Sequence, residues 1–109
     1  MASTKPAVSN AIKRFAQQLR EMGIQCERVL LYGSQASGTA VEGSDIDLIV
    51  ISPAWAGYNE RERLEILGIA AARILEPIQA RGATPEEIAT HQVSPFLDQV
   101  LREQAVLVA

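Results

Sequence analysis

The sequence predicts a small α+β domain, a mixed β-sheet with helices packed on it. Three observations lead there. Ile12, Phe15, Leu19 and Met22 recur at three- and four-residue steps, one apolar helical face. Two short β-prone runs follow, RVLLY over 28–32 and DIDLIVI over 45–51, the first stopped by Gly33 and the second by Pro53 beyond Ser52. The rest of the chain then alternates between helical and strand-like segments.

In order, residues 1–9 are expected to form a flexible start, with Ser9 or Asn10 capping the first helix and Gly23 ending it. The 28–32 strand comes next. The small-residue stretch 34–44 has room for one short helix after the Gly-Ser turn, before the 45–51 strand. SPAWAGYNE reads as a loop ahead of a helix over about 60–75, with Leu64, Leu67, Ala71, Ile74 and Leu75 as its buried face. The run 75–80, broken by Pro77 and closed by Arg81-Gly82, reads as an edge or irregular strand. TPEE has the form of a capping box, with Thr84 at the N-cap, Pro85 at N1 and Glu87 at N3, so a short helix follows. Ser94-Pro95 opens another helix, with Phe96, Leu97, Val100 and Leu101 inward, and AVLVA is available as a last strand.

Length and composition bound the function. The 109 residues suit one domain, 10–109, with a single modest core. Ten basic against 13 acidic residues give a net charge of -3, which excludes bulk charge-driven nucleic-acid binding. A lone Cys26 excludes a disulfide framework and suits a reducing compartment. No apolar run reaches the ~20 residues a membrane span needs, and residues 1–10 lack a signal core, so a soluble cytoplasmic protein is expected.

The chemistry is concentrated in GSQASGTAVEGSDIDLIV, residues 33–50. Strand side chains alternate, so Asp45 and Asp47 share a face while Ile46, Leu48 and Val50 take the other. Two like charges roughly 7 Å apart repel and resist desolvation unless a cation joins them. Mg²⁺ suits such a pair, because it takes hard oxygen ligands and completes its shell with phosphate and water. A bare pair of acids at this spacing also arises as a loop cap beside an exposed strand end. The Gly33-Ser34 step adds close backbone approach, N–H groups and a hydroxyl, which can hold a phosphate. An anion-binding turn ten residues before a cation-binding pair is what a metal-bound nucleoside triphosphate requires.

Gly33-Ser34, ten residues and then Asp45-Ile46-Asp47 resembles the signature of the minimal nucleotidyltransferases, small members of the DNA polymerase β-type nucleotidyltransferase superfamily. The likeness extends over nearly the whole chain, through VLLYGS, SDIDLIVIS and the late EPI…TPEE…SPF stretch. It implies a palm-like sheet on which Asp45 and Asp47 ligate two Mg²⁺ ions about 4 Å apart, with Gly33 and Ser34 holding the triphosphate. The family's third carboxylate lies on the strand after the long helix, and the resemblance maps it to Glu76 in ILEPIQA as base or second-metal ligand. It further implies transfer of AMP from ATP to a hydroxyl on a small helical HEPN-type protein, as the antitoxin of a toxin pair. Two positions depart from the family pattern: Gln35 stands where a basic residue commonly follows the serine, and Glu76 stands for aspartate. Both favour a second reading, a weak or inactive nucleotide-binding module that acts by gripping a partner protein. A glycosyltransferase also uses an Asp-x-Asp pair, but needs a larger nucleotide-sugar domain and leaves the Gly-Ser turn unexplained.

The remaining candidates have plainer readings. His91 reads as an exposed helix-end residue, Cys26 as a buried small side chain, and Trp55 and Tyr58 as loop packing or a stacking surface. Arg61 and Arg63 read as a solvated helix start, with one of them able to offset the missing basic residue by reaching a phosphate.

Overall fold

The computed structural model describes residues 6–40, 43–103 and 106–107. The expectations for residues 1–5 and for the ends of AVLVA lie outside that set. Helix α1 (Pro6–Glu21) starts earlier than a cap at Ser9 or Asn10, because Pro6 supplies a helix-compatible φ at the first turn. Its apolar face buries Val8, Ala11, Ile12, Phe15 and Leu19. It ends as the glycine foretold: Gly23 takes φ 92°, its N–H bonds to Arg20, and the Ile24 N–H reaches back to Leu19 O at 2.8 Å. This paired closure satisfies carbonyls the helix would otherwise leave open.

Strand β1 (Arg28–Tyr32) leads through Gly33 into α2 (Ser34–Ser37), then β2 (Ile46–Ile51). SPAWAGYNE forms a 3-10 helix (Pro53–Gly57), where a plain loop was expected, because Ser52 caps it by accepting from the Ala54 N–H. Helix α3 (Glu60–Arg73) begins on a capping box between Asn59 and Glu62. Strand β3 (Ile78–Ala83), helices α4 (Pro85–Ala89) and α5 (Pro95–Glu103) and strand β4 (Val106–Leu107) complete the fold. The predicted Thr84–Glu87 capping box is present.

The sheet order is β3-β2-β1-β4, with β1 antiparallel to β2 and β4, and β2 parallel to β3. The mixed sheet follows from connection length: the 3-10 turn and α3 supply the long crossover that a parallel pair requires. Alternation then sorts the side chains. Ile46, Leu48, Val50, Val29, Leu31 and Ile78 join the core beneath α1 and α3. Ile49, Ile51, Tyr32 and Ala83 join a second cluster with Leu97 and Val100 of α5.

Three expectations are corrected. The strand does not close at Arg81-Gly82 but runs through both, and Gly82 is required there because a Cβ would meet the Trp55 ring at 2.8 Å. Leu67, Ala71 and Ile74 are buried as expected, but Leu64 and Leu75 are exposed, and Arg63 and Ala70 complete the buried face. Leu75 lies beyond the helix end at φ 56°, where its N–H bonds to Ala72 O and the Glu76 N–H to Ala71 O. Phe96 points outward, 53% exposed, while Leu97 and Val100 face in. Trp55 is wholly buried, with its indole N–H on Val50 O at 3.1 Å and an edge-on contact to Tyr58, which assigns it to packing.

Candidate active site

A cleft of about 690 Å³ opens where β1 ends and β2 and β3 begin, lined by Gly33, Asp45, Asp47, Gln79, Arg81 and Phe96 among others. Gly33 is the tightest part of its wall. It takes φ 73° and ψ -153°, a backbone region open essentially only to glycine, and any Cβ would collide with Asp47 Oδ2. Its carbonyl accepts from the Ala36 and Ser37 N–H groups at 3.1 Å, turning the chain into α2. No side chain caps α2, whose first residue is Ser34.

Asp45 stands exposed just before β2, and Asp47 is half-buried within it, opposite Tyr32 of β1 and Gln79 of β3. Burial pushes the Asp47 carboxyl above the usual carboxylate range, and the Asp45 charge pushes it further. A divalent cation between the two would remove that strain, and the all-oxygen donor set fits Mg²⁺. Among the described residues no group of three or more His, Cys, Asp or Glu side chains is placed to hold a metal.

Gly33, Asp45 and Asp47 are therefore brought together, with Ser34 next in the chain. Glu76 is not. It precedes β3 on the α1 side of the sheet, where Arg14 donates to its carboxylate at 3.2 Å and to Ile74 O at 2.9 Å. The residue that β3 does set beside Asp47 is Gln79. Glu76 lies ahead of Pro77 and outside β3, which starts at Ile78, so the strand does not carry it to the cleft.

Neither helix-start arginine reaches the cleft. Arg61 pairs with Glu65 in solvent, and Arg63, 8% exposed, is tied to Glu87 at 2.7 and 3.3 Å and to the carbonyls of Tyr58 and Gly82. Among the described residues that line the cleft, the cation is Arg81, which sequence reading placed at a strand end. Its guanidinium lies 5.5 Å from the Phe96 ring centroid, close enough to Tyr32 to act on its hydroxyl. Tyr32 in turn meets Phe96 edge-on at 6.3 Å. Its hydroxyl is raised above the ordinary phenol range by burial and by Asp47, with Arg81 opposing. Extending the period-two pattern of IQARGA through residue 83 would have shown Gln79 and Arg81 on one face. His91 is the exposed helix-end residue expected, 3.1 Å from Asp98.

A strand-turn carrying glycine against a carboxylate pair, inside a mixed sheet backed by helices, is the arrangement of a nucleotidyltransferase-like fold. Residues 12–88 match the family described as Nucleotidyltransferase domain, and the chain belongs to that family. Two solved structures share the fold. One, described as a toxin-antitoxin with AMP-PNP, is 20% identical with a TM-score of 0.60, covering 93% of this chain and 72% of that one. The other, from Sulfolobus solfataricus and described as a candidate nucleotidyltransferase, is 19% identical with a TM-score of 0.55, covering 98% and 89%. No curated protein matches the sequence. Among the described residues, no helix is long and apolar enough to cross a membrane.

Proposed function

We propose that this chain is a cytoplasmic, Mg²⁺-dependent nucleotidyltransferase that moves AMP from ATP to a hydroxyl on a partner protein, as the antitoxin of a small helical HEPN-type toxin. The single observation that carries the nucleotide reading is the close approach of the Gly33 turn to Asp47, a carboxylate that burial and the neighbouring Asp45 hold above its usual range. The likeness to a toxin-antitoxin structure with AMP-PNP supports the rest of the reading.

Asp45 and Asp47 would hold the metal, which when bound neutralises the phosphate oxygens and stabilises the entering and leaving oxygens. Gly33 lets the backbone approach the triphosphate, and Ser34 offers its N–H and hydroxyl. Arg81 adds a fixed positive charge at the β3 wall. In the transfer the acceptor oxygen bonds the α-phosphorus as its bond to the bridging oxygen breaks. Pyrophosphate leaves with that electron pair, and the hydroxyl proton goes to water or to a base brought by the acceptor. Leu64 and Phe96, both exposed at the cleft, are the apolar surface available to that acceptor.

The second reading, a module that binds nucleotide and partner without turnover, is favoured by one observation: Gln79, not a carboxylate, faces Asp47 from β3. Calorimetric titration of ATP with and without Mg²⁺, repeated on Asp45→Asn with Asp47→Asn, tests the site. Mg²⁺-dependent binding lost in the double variant supports it, and binding that survives overturns the assignment of both aspartates. Labelled AMP appearing on a co-expressed partner then separates transfer from binding alone.

A further inference from the structure

We infer that the cleft holds one divalent cation rather than two, and that Arg81 supplies on the β3 side the positive charge a second cation would bring to the phosphates. This rests on the nucleotide reading above. The argument begins with register. Asp47 pairs with Gln79 and Ile49 with Arg81, so the β3 side chains that share the face of the aspartates are a neutral amide and a cation. Two dications about 4 Å apart repel strongly and are held together by carboxylates that bridge or flank them. Here the donors are Asp45 and Asp47, and no described set of three His, Cys, Asp or Glu residues exists to extend them. Glu76 is on the other side of the sheet with Arg14. Glu87, beyond the end of β3, is committed to Arg63 and to the Thr84 N–H. A second dication would therefore sit beside Gln79 and Arg81 with the phosphates alone, and no further carboxylate among the described residues, to offset it.

Arg81 is built for the role instead. It is half-buried, no carboxylate among the described residues forms an ion pair with it, and it lies over the Phe96 ring, 5.5 Å from its centroid. A guanidinium held in this way presents a planar fork to phosphate oxygens, which is its strongest mode of recognition.

The test counts bound Mn²⁺ by electron paramagnetic resonance in the presence of AMP-PNP, against a nucleotide-only control, and measures AMP-PNP affinity by calorimetry. Wild type is expected to bind one Mn²⁺ per chain, Gln79→Asp a second, and Arg81→Ala to bind AMP-PNP about tenfold or more weakly with the metal count unchanged. Arg81→Lys should recover part of that loss, since it keeps the charge but not the fork. Two Mn²⁺ in wild type, or unaltered AMP-PNP affinity in Arg81→Ala, overturns the inference. If Gln79→Asp does not fold, the wild-type count and Arg81→Ala decide alone. No Mn²⁺ and no AMP-PNP bound by any variant would instead sink the nucleotide reading itself, and the inference with it.

Discussion

Asp47 carries a conflict between stability and function. Its carboxyl titrates above the ordinary range because of burial and then Asp45, so the native state holds a proton more readily than the unfolded chain. Stability of the metal-free protein should therefore fall as pH rises from the ordinary carboxylate range through that raised value, and stay lower above it. Asp47→Asn removes the dependence. Thermal melts from pH 3 to 8, without added metal, should show the variant gaining on wild type as pH rises, while its Mg²⁺-dependent ATP binding drops at least about tenfold. A variant less stable than wild type at neutral pH would contradict this. Gly33→Ala acts on the same contact: a Cβ meets the carboxylate at a φ of 73°. It should cost about 1–3 kcal/mol in denaturant melts and displace Asp47 from the cleft. Both aspartates and the glycine were legible in the sequence because turn chemistry and two-residue alternation are local. Gln79 and Arg81 were missed because the strand was read as closing at Arg81-Gly82, although their two-residue spacing already sets them on one face.

The elements differ in how well their ends are made. Leu75 occupies the left-handed position that closes α3, at φ 56° and 89% exposed, so it bears the steric cost of that backbone and buries almost nothing in return. Leu75→Gly should stabilise the protein by up to about 1 kcal/mol, read as a higher urea midpoint at unchanged slope. At the other end of β3, Glu87 closes the α4 capping box and also neutralises the buried Arg63. Burial alone would raise its carboxyl, but Arg63 and the Thr84 N–H outweigh that and hold it below the ordinary range. The stability it confers is present above the unfolded value and is lost as pH falls through the folded one. Glu87→Ala should cost about 2–3 kcal/mol, less than a fully buried pair because both groups touch solvent. The TPEE box was readable from four residues in a row; its second duty, across to α3, was not, because Arg63 is 24 positions away.

For the molecule as a whole, the order of helices and strands followed from periodicity and breakers, and the edge position of β3 from Pro77. Which faces the helices cover was settled by tertiary packing. Phe96 and Leu64 looked like core and instead stand at the cleft, a choice visible only once α5 and α3 lie on opposite sides of the sheet. Gly82 joins those layers, with the Trp55 ring filling the space a side chain would take. Gly82→Ala should therefore cost about 1–3 kcal/mol by overpacking, seen as a lowered thermal midpoint.

The parallel pairing of β2 with β3 also governs the order in which the molecule assembles. The β1–β2 pair joins segments close in sequence, whereas β2 and β3 meet only after the 3-10 turn and α3 have looped between them. Closing that longer loop is the costlier step, so the two walls of the cleft should come together late in folding. The only tryptophan, Trp55, is sealed between Val50 of β2 and Gly82 of β3, and its fluorescence is thus a clock for that event. In stopped-flow refolding, competence to bind nucleotide should appear with the Trp55 signal and never ahead of it, so that a chain still being made is silent until its third strand has docked.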